Sequence, residues 1–201
     1  MADKDRQAPR SRPARPQPWE VDLQALLALS GAIDRLNRYV ASVAAALVLI
    51  SCLISAGNAA MRYLFSMSSN AWLEIQWQMF AGIFLLGAPF VLQKNEHVRV
   101  DLLYATYSDR GRLWLDILGI LFFLFPATIL IAWMGFGFFW TAFESGERSS
   151  NAGGLILWPV KLLMPAGFTL LALQGLSELI KRIAALRGLR TLDLSYEKPL
   201  Q

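Results

Sequence analysis

Four stretches of the chain contain no Asp, Glu, Lys or Arg: residues 39–61, 75–93, 117–143 and 162–177. No other feature of the sequence restricts the fold so strongly. About 20 apolar residues cross the hydrocarbon core of a bilayer as a helix. In that medium every backbone N–H and C=O must be satisfied inside the segment, which a helix achieves and an open strand does not. The first three windows are long enough as they stand. The fourth becomes so if it extends through Trp158 and Pro159, with the Lys161 stem snorkelling toward the interface. The expectation is an all-α integral membrane protein with four transmembrane helices, near residues 39–61, 72–93, 113–140 and 157–179. Composition agrees: 17% of residues are charged, against about 25% in an ordinary soluble domain.

The segment from Gln93 to Tyr104 separates the second window from the third and holds the only histidine. Lys94, Glu96, His97, Arg99 and Asp101 make it a solvated or headgroup-level connection, because such a density of charge does not sit in hydrocarbon. Of the 19 Lys and Arg, 16 lie in residues 1–38, in 94–112 or from Lys181 onward. The other three, Arg62, Arg148 and Lys161, mark the opposite helix ends. The positive-inside rule therefore places both termini and the central connection in the cytoplasm. That bias accounts for the basic tail without nucleic acid.

Residues 1–18, rich in Pro and Arg, read as a disordered cytoplasmic tail, and 184–201 as a second tail. Between the first tail and the first span, Leu26, Leu29, Ile33, Leu36 and Val40 recur every three or four residues. This predicts an N-terminal amphipathic helix over 19–38, lying along the inner membrane face or against a partner, with Asp34 and Arg38 in i,i+4 register. Small residues four apart in the first span (Ala41/Ala45, Ser42/Ala46, Ser51/Ser55, Ala56/Ala60) favour close helix approach and put that span in the middle of the packing.

Trp72 is expected at interface depth. Glu74 falls in the first turn of the second span, where the helix dipole favours a carboxylate and where Arg62 is the natural ion-pair partner. Ser108-Asp109 reads as the N-cap of the third span, and Pro126 interrupts that span. Trp158-Pro159 opens the fourth, since Pro suits a first helical turn. Lys161 there opposes the dipole and needs compensation from solvent, lipid phosphate or a partner's carboxylate.

One histidine and one cysteine, Cys52, cannot assemble a bis-His or Cys/His metal or haem site within the chain. No Gly-rich phosphate loop, no Ser/His/Asp set and no paired intramembrane carboxylates appear. No cofactor and no enzymatic activity are expected. His97 and Asp101 are expected to serve structure or an interface rather than to relay protons or bind a transported ion.

These residues also resemble a known family. Arg62-Tyr63-Leu64-Phe65 after the first span, Trp72-x-Glu74 opening the second and Glu96-His97-Val98-Arg99-Val100-Asp101 after it are similar to the small membrane subunit, DctQ type, of tripartite ATP-independent periplasmic (TRAP) transporters. So are Gly153-Gly154-Leu155, Trp158-Pro159-Val160-Lys161 and Pro165-Ala166-Gly167-Phe168. The resemblance covers about residues 35–183. It implies a bacterial inner-membrane subunit with two partners: a large sodium-coupled elevator subunit and a periplasmic binding protein that captures an organic acid or similar solute. Under it, Arg62, Trp72, Glu74, His97, Arg99, Asp101, Trp158, Pro159 and Pro165 are structural or interface residues. Glu144, Glu147, Arg148 and Lys161 are the candidates for docking the binding protein. A four-helix redox anchor is the alternative the architecture permits, and a self-associating channel is a third.

Overall fold

The first charge-free window lies inside a helix twice its length. In the structure, a computed structural model that describes residues 18–95 and 107–189, helix α1 runs unbroken over Pro18–Phe65, 48 residues. At 1.5 Å per residue it is about 72 Å long, against a hydrocarbon core of about 30 Å. The expected amphipathic helix over 19–38 is therefore the first half of α1, not a separate element turning along the membrane surface. The residues between Arg35 and Val40 include no Gly or Pro that would break the chain there, so the helix propagates through.

Helix α2 spans Asn70–Lys94, after a turn in which Ser66 adopts φ 53°. Its last turn closes on Asn95, left-handed at φ 62°, whose N–H bonds back to the carbonyl of Leu92. This is the αL cap that Asn tolerates better than most residues. Helix α3 spans Asp109–Gly119; the Ser108 hydroxyl accepts from Gly111 N–H, which bears out the predicted N-cap. A π-helical turn, Ile120–Leu124, joins α3 to α4, Phe125–Ser145. Pro126 sits in the first turn of α4, so its missing N–H falls where the hydrogen-bond register already changes. Thr128 donates its hydroxyl to the carbonyl of Leu124, one turn back, at 2.7 Å. Helix α5 spans Trp158–Leu186.

Four helices are long and apolar enough to cross a membrane: Leu23–Phe65, Asn70–Lys94, Asp109–Ser145 (α3, the π turn and α4 together) and Trp158–Leu186. Among the described residues there is no strand, only an isolated antiparallel bridge between Arg148 and Ile156.

The centre of the bundle is α5, not the first span. It packs against α1, α2, α3 and α4, whereas α1 packs chiefly on α2 and α5. Glycines set the approach. A Cβ at Gly167 would lie 2.8 Å from the backbone oxygen of Leu85 in α2, and one at Gly135 would lie 3.2 Å from Pro165. The small residues of α1 do less than expected: Ala44 and Ser51 are buried, but Ala45, Ala46, Ser55, Ala56 and Ala60 are exposed. A side-chain bond ties α1 to α2, from Gln76 Nε2 to the carbonyl of Ser51 at 3.3 Å.

Candidate functional site

The stripe by which α1 meets α5 is polar. Ser30, Asp34 and Asn37 recur at i, i+4 and i+7, and Gln174, Ser177, Glu178 and Lys181 do the same on α5, so both rows face one seam. Asn37 Nδ2 donates to Gln174 Oε1 at 2.7 Å; Gln174 Nε2 donates to Asp34 at 2.9 Å and to Glu178 at 3.1 Å. The Ser177 hydroxyl donates to Asp34 at 2.7 Å. A hydroxyl has one proton, so the 2.8 Å contact between the Ser30 and Ser177 oxygens is donated by Ser30. Lys181 bridges Asp34 at 3.0 Å and Glu178 at 2.5 Å. Arg182 reaches the other way, to Asp116 of α3 at 2.8 Å and to Glu178 at 2.6 Å. Gln174 and Ser177 have no exposed surface, and Lys181 and Arg182 are also buried.

The residues at this end that the sequence marks as basic surface thus form a dry network joining three helices. Asp34 bonds to Lys181, Gln174 and Ser177 of α5, while Arg38, its expected i,i+4 partner, is exposed. The i,i+3,i+4,i+7 spacing of Gln174, Ser177, Glu178 and Lys181 was the signal that could have revealed the network. Because the polar row faces inward, Leu26, Leu29 and Leu36 are left 45–47% exposed on the outer side of α1, with Ile33 buried.

At the opposite end, Trp158 is held edge-on by Phe139 and Phe143 of α4, at 6.4 and 5.7 Å between centroids. Pro159 is exposed in the first turn of α5, Pro165 is buried against Gly135, and Trp72 is half exposed. Lys161 is compensated within the chain: its ammonium pairs with Glu147 and sits 4.0 Å above the Phe138 ring. Two of the four expected docking residues therefore neutralise each other, while Glu144 and Arg148 are exposed. The loop carrying them is knitted by its own backbone. Glu147 donates to Ala142, Leu157 to Glu147 and Ser149 to Leu155, and the Arg148 guanidinium donates to the carbonyl of Gly154 at 3.2 Å.

The Arg62–Glu74 pair does not form. Helix α2 begins at Asn70, so Glu74 lies in its second turn, beyond the reach of most of the dipole. Arg62 is exposed in the last turn of α1. Glu74 is 5% exposed, and neither carboxylate oxygen has a hydrogen-bond partner among the described residues. The loop presses on it instead: a Cβ at Gly153 would lie against Glu74 Oε2 and 2.9 Å from Ala71 Cα. Beside it is a cavity of about 170 Å³ lined by Asn70, Leu73, Glu74, Trp77, Asn151 and Ala152. A larger apolar cavity, about 520 Å³, lies between α1 and the start of α2, around Leu53, Gly57, Met61 and Trp72. His97, Arg99 and Asp101 lie outside the described residues.

Among the described residues no group of three or more His, Cys, Asp or Glu could hold a metal ion. What the arrangement offers chemically is recognition: one closed ionic network, one buried carboxylate without a counter-charge, and broad apolar helix faces. Residues 51–185 match the family model described as "Tripartite ATP-independent periplasmic transporters, DctQ component". No curated protein and no solved structure matches the chain significantly.

Proposed function

This chain belongs to the DctQ component family of the tripartite ATP-independent periplasmic transporters, and from that premise we propose that it is the non-catalytic small membrane subunit that braces a large sodium-coupled transport subunit. In this role it sits in the bacterial inner membrane with both termini cytoplasmic, and it helps a periplasmic binding protein deliver an organic acid or similar solute.

The observation that carries the reading is the outward face of α1. Leu26, Leu29 and Leu36 are exposed on a part of the helix that precedes the charge-free window, while Ser30, Asp34 and Asn37 of the same stretch are turned toward α5. A face of that kind is stabilised by covering it with apolar protein. Along the span, Leu49 and Leu53 are also more than 60% exposed. Docking of the binding protein falls to Glu144 and Arg148, because Glu147 and Lys161 satisfy each other.

The test is uptake in proteoliposomes. The chain alone and the large subunit alone are expected to move no solute, and both together with the binding protein to support sodium-dependent uptake. Uptake by the chain alone overturns the proposal, as does full uptake by the large subunit without this chain. Replacing Glu144 and Arg148 together with Gln is expected to weaken capture of the loaded binding protein. Unchanged uptake removes the docking role.

A further inference from the structure

Glu74 is the one carboxylate among the described residues that is buried with both oxygens unpartnered. An ionised group in that position is several kcal/mol less favourable than one in water unless a counter-charge is supplied. It forms one wall of the cavity of about 170 Å³ at the outer end of α2. Besides the apolar Leu73 and Ala152, the remaining wall groups are of two kinds. Asn70 and Asn151 bring amide carbonyl oxygens that accept hydrogen bonds. Trp77, 65% exposed, brings an indole face, the ring that attracts organic cations most strongly. The loop residues Asn151–Gly153 lie over the carboxylate, with Gly153 closing directly onto Oε2 and Ala71.

We propose that this cavity is a socket for a guanidinium or ammonium group on a side chain of the large membrane subunit, with Glu74 as its counter-charge. The identity of the occupant rests on the bracing role above; the cation chemistry does not. A single carboxylate flanked by two amides, an indole and the apolar Leu73 and Ala152 is poorly matched to a hard metal ion, which takes six or more oxygens at short range. It matches a nitrogen cation well. One oxygen pairs with the charge, the amide oxygens take the remaining N–H groups, and the indole stacks on the flat face of a guanidinium. The Asn151–Gly153 strap shifts to admit the side chain and then covers it. Two segments that are separate in sequence, Asn70 to Trp77 and Asn151 to Gly153, thus form a single site.

The test has two arms, both on the full chain. In detergent, the isolated chain is titrated with ethylguanidinium chloride and, at matched ionic strength, with sodium chloride, following tryptophan fluorescence. A saturable response to ethylguanidinium that is lost in Glu74→Gln and in Trp77→Phe is expected. A response to sodium instead, or an ethylguanidinium response retained in Glu74→Gln, overturns the proposal.

In the second arm the chain is co-purified with the large subunit, and Glu74→Gln is expected to reduce retention by about thirty-fold or more, the effect of removing one side of a buried charge pair. The same substitution, made in the isolated chain, is expected to leave its melting temperature unchanged or raised, because it removes an unpaired charge. Unchanged retention overturns the proposal. Retention lost together with a fall in melting temperature overturns it too, as the mark of a purely structural group. If the wild-type chain fails to retain the large subunit while the ethylguanidinium response is intact, the bracing role fails and the cation site stands.

Discussion

The two ends of the bundle treat buried charge in opposite ways. At the end where α1, α3 and α5 meet, Asp34, Asp116 and Glu178 share Lys181 and Arg182, and Gln174 and Ser177 fill the remaining valences. At the end where α2 meets the loop before α5, Glu147 and Lys161 pair, but Glu74 is buried with no counter-charge. Burial of ionic groups is tolerable only when each is paired and hydrogen-bonded. The ions of the first end are all paired within one chain, although Asn37 Oδ1 beside them is buried without a hydrogen-bond partner; at the second, the Glu74 carboxylate itself has none among the described residues. On the proposal above, one end fixes the helices and the other recognises a partner.

The largest expected effect breaks the closed end. Arg182→Met takes the shared guanidinium from Asp116 and Glu178 and puts an apolar side chain in its place, and thermal unfolding of the isolated chain in detergent should show a loss of about 3–5 kcal/mol. Adding Asp116→Asn and Glu178→Gln should recover most of it; no recovery would mean that packing rather than charge holds this end. Next is the seam along α5. Gly167→Ala pushes a methyl to 2.8 Å from the Leu85 backbone, which cannot move alone, at a cost of about 1–3 kcal/mol.

Gly175→Ala, by contrast, meets side chains and no backbone: Leu124 Cδ2 at 2.6 Å, a tip that can rotate, and the edge of the Phe125 ring at 3.3 Å. It should be close to neutral, since alanine recovers about 0.5–1 kcal/mol of helix stability. Equal losses at the two glycines would contradict α5 as the axis. Glu147→Gln should remove about 1 kcal/mol or less, because the Glu147 side chain is 40% exposed and water replaces much of the pair. A loss as large as that of Arg182→Met would erase the contrast between the ends. The smallest effect belongs to Arg62→Gln, expected within about 0.5 kcal/mol. A larger loss would reinstate the Arg62–Glu74 pair.

The spans were legible in the sequence because lipid imposes a length and a polarity that no tertiary contact can override. The N-cap at Ser108 and the proline at the head of α5 were legible for the same reason: their cause is local. What the sequence hid depended on which way a helix face turns. The leucines of residues 26–36 and the polar row of Ser30, Asp34 and Asn37 are both periodic, and periodicity alone does not say which row faces a neighbour. The presence of a matching polar row on α5 decided it. Lys181 looked like a tail cation until Asp34, distant in sequence, was brought beside it. Glu74 was misjudged by half a turn, since α2 starts at Asn70, and it is buried while Arg62 is exposed.

Amide hydrogen exchange on the full chain in nanodiscs, alone and bound to its large partner, tests the central contrast most directly. Residues 30–37 and 174–182 should be equally protected in both states, while 70–77 and 147–156 should gain protection only in the complex. Protection of the Glu74 end in the isolated chain, or of the Arg182 end only after assembly, would contradict the account.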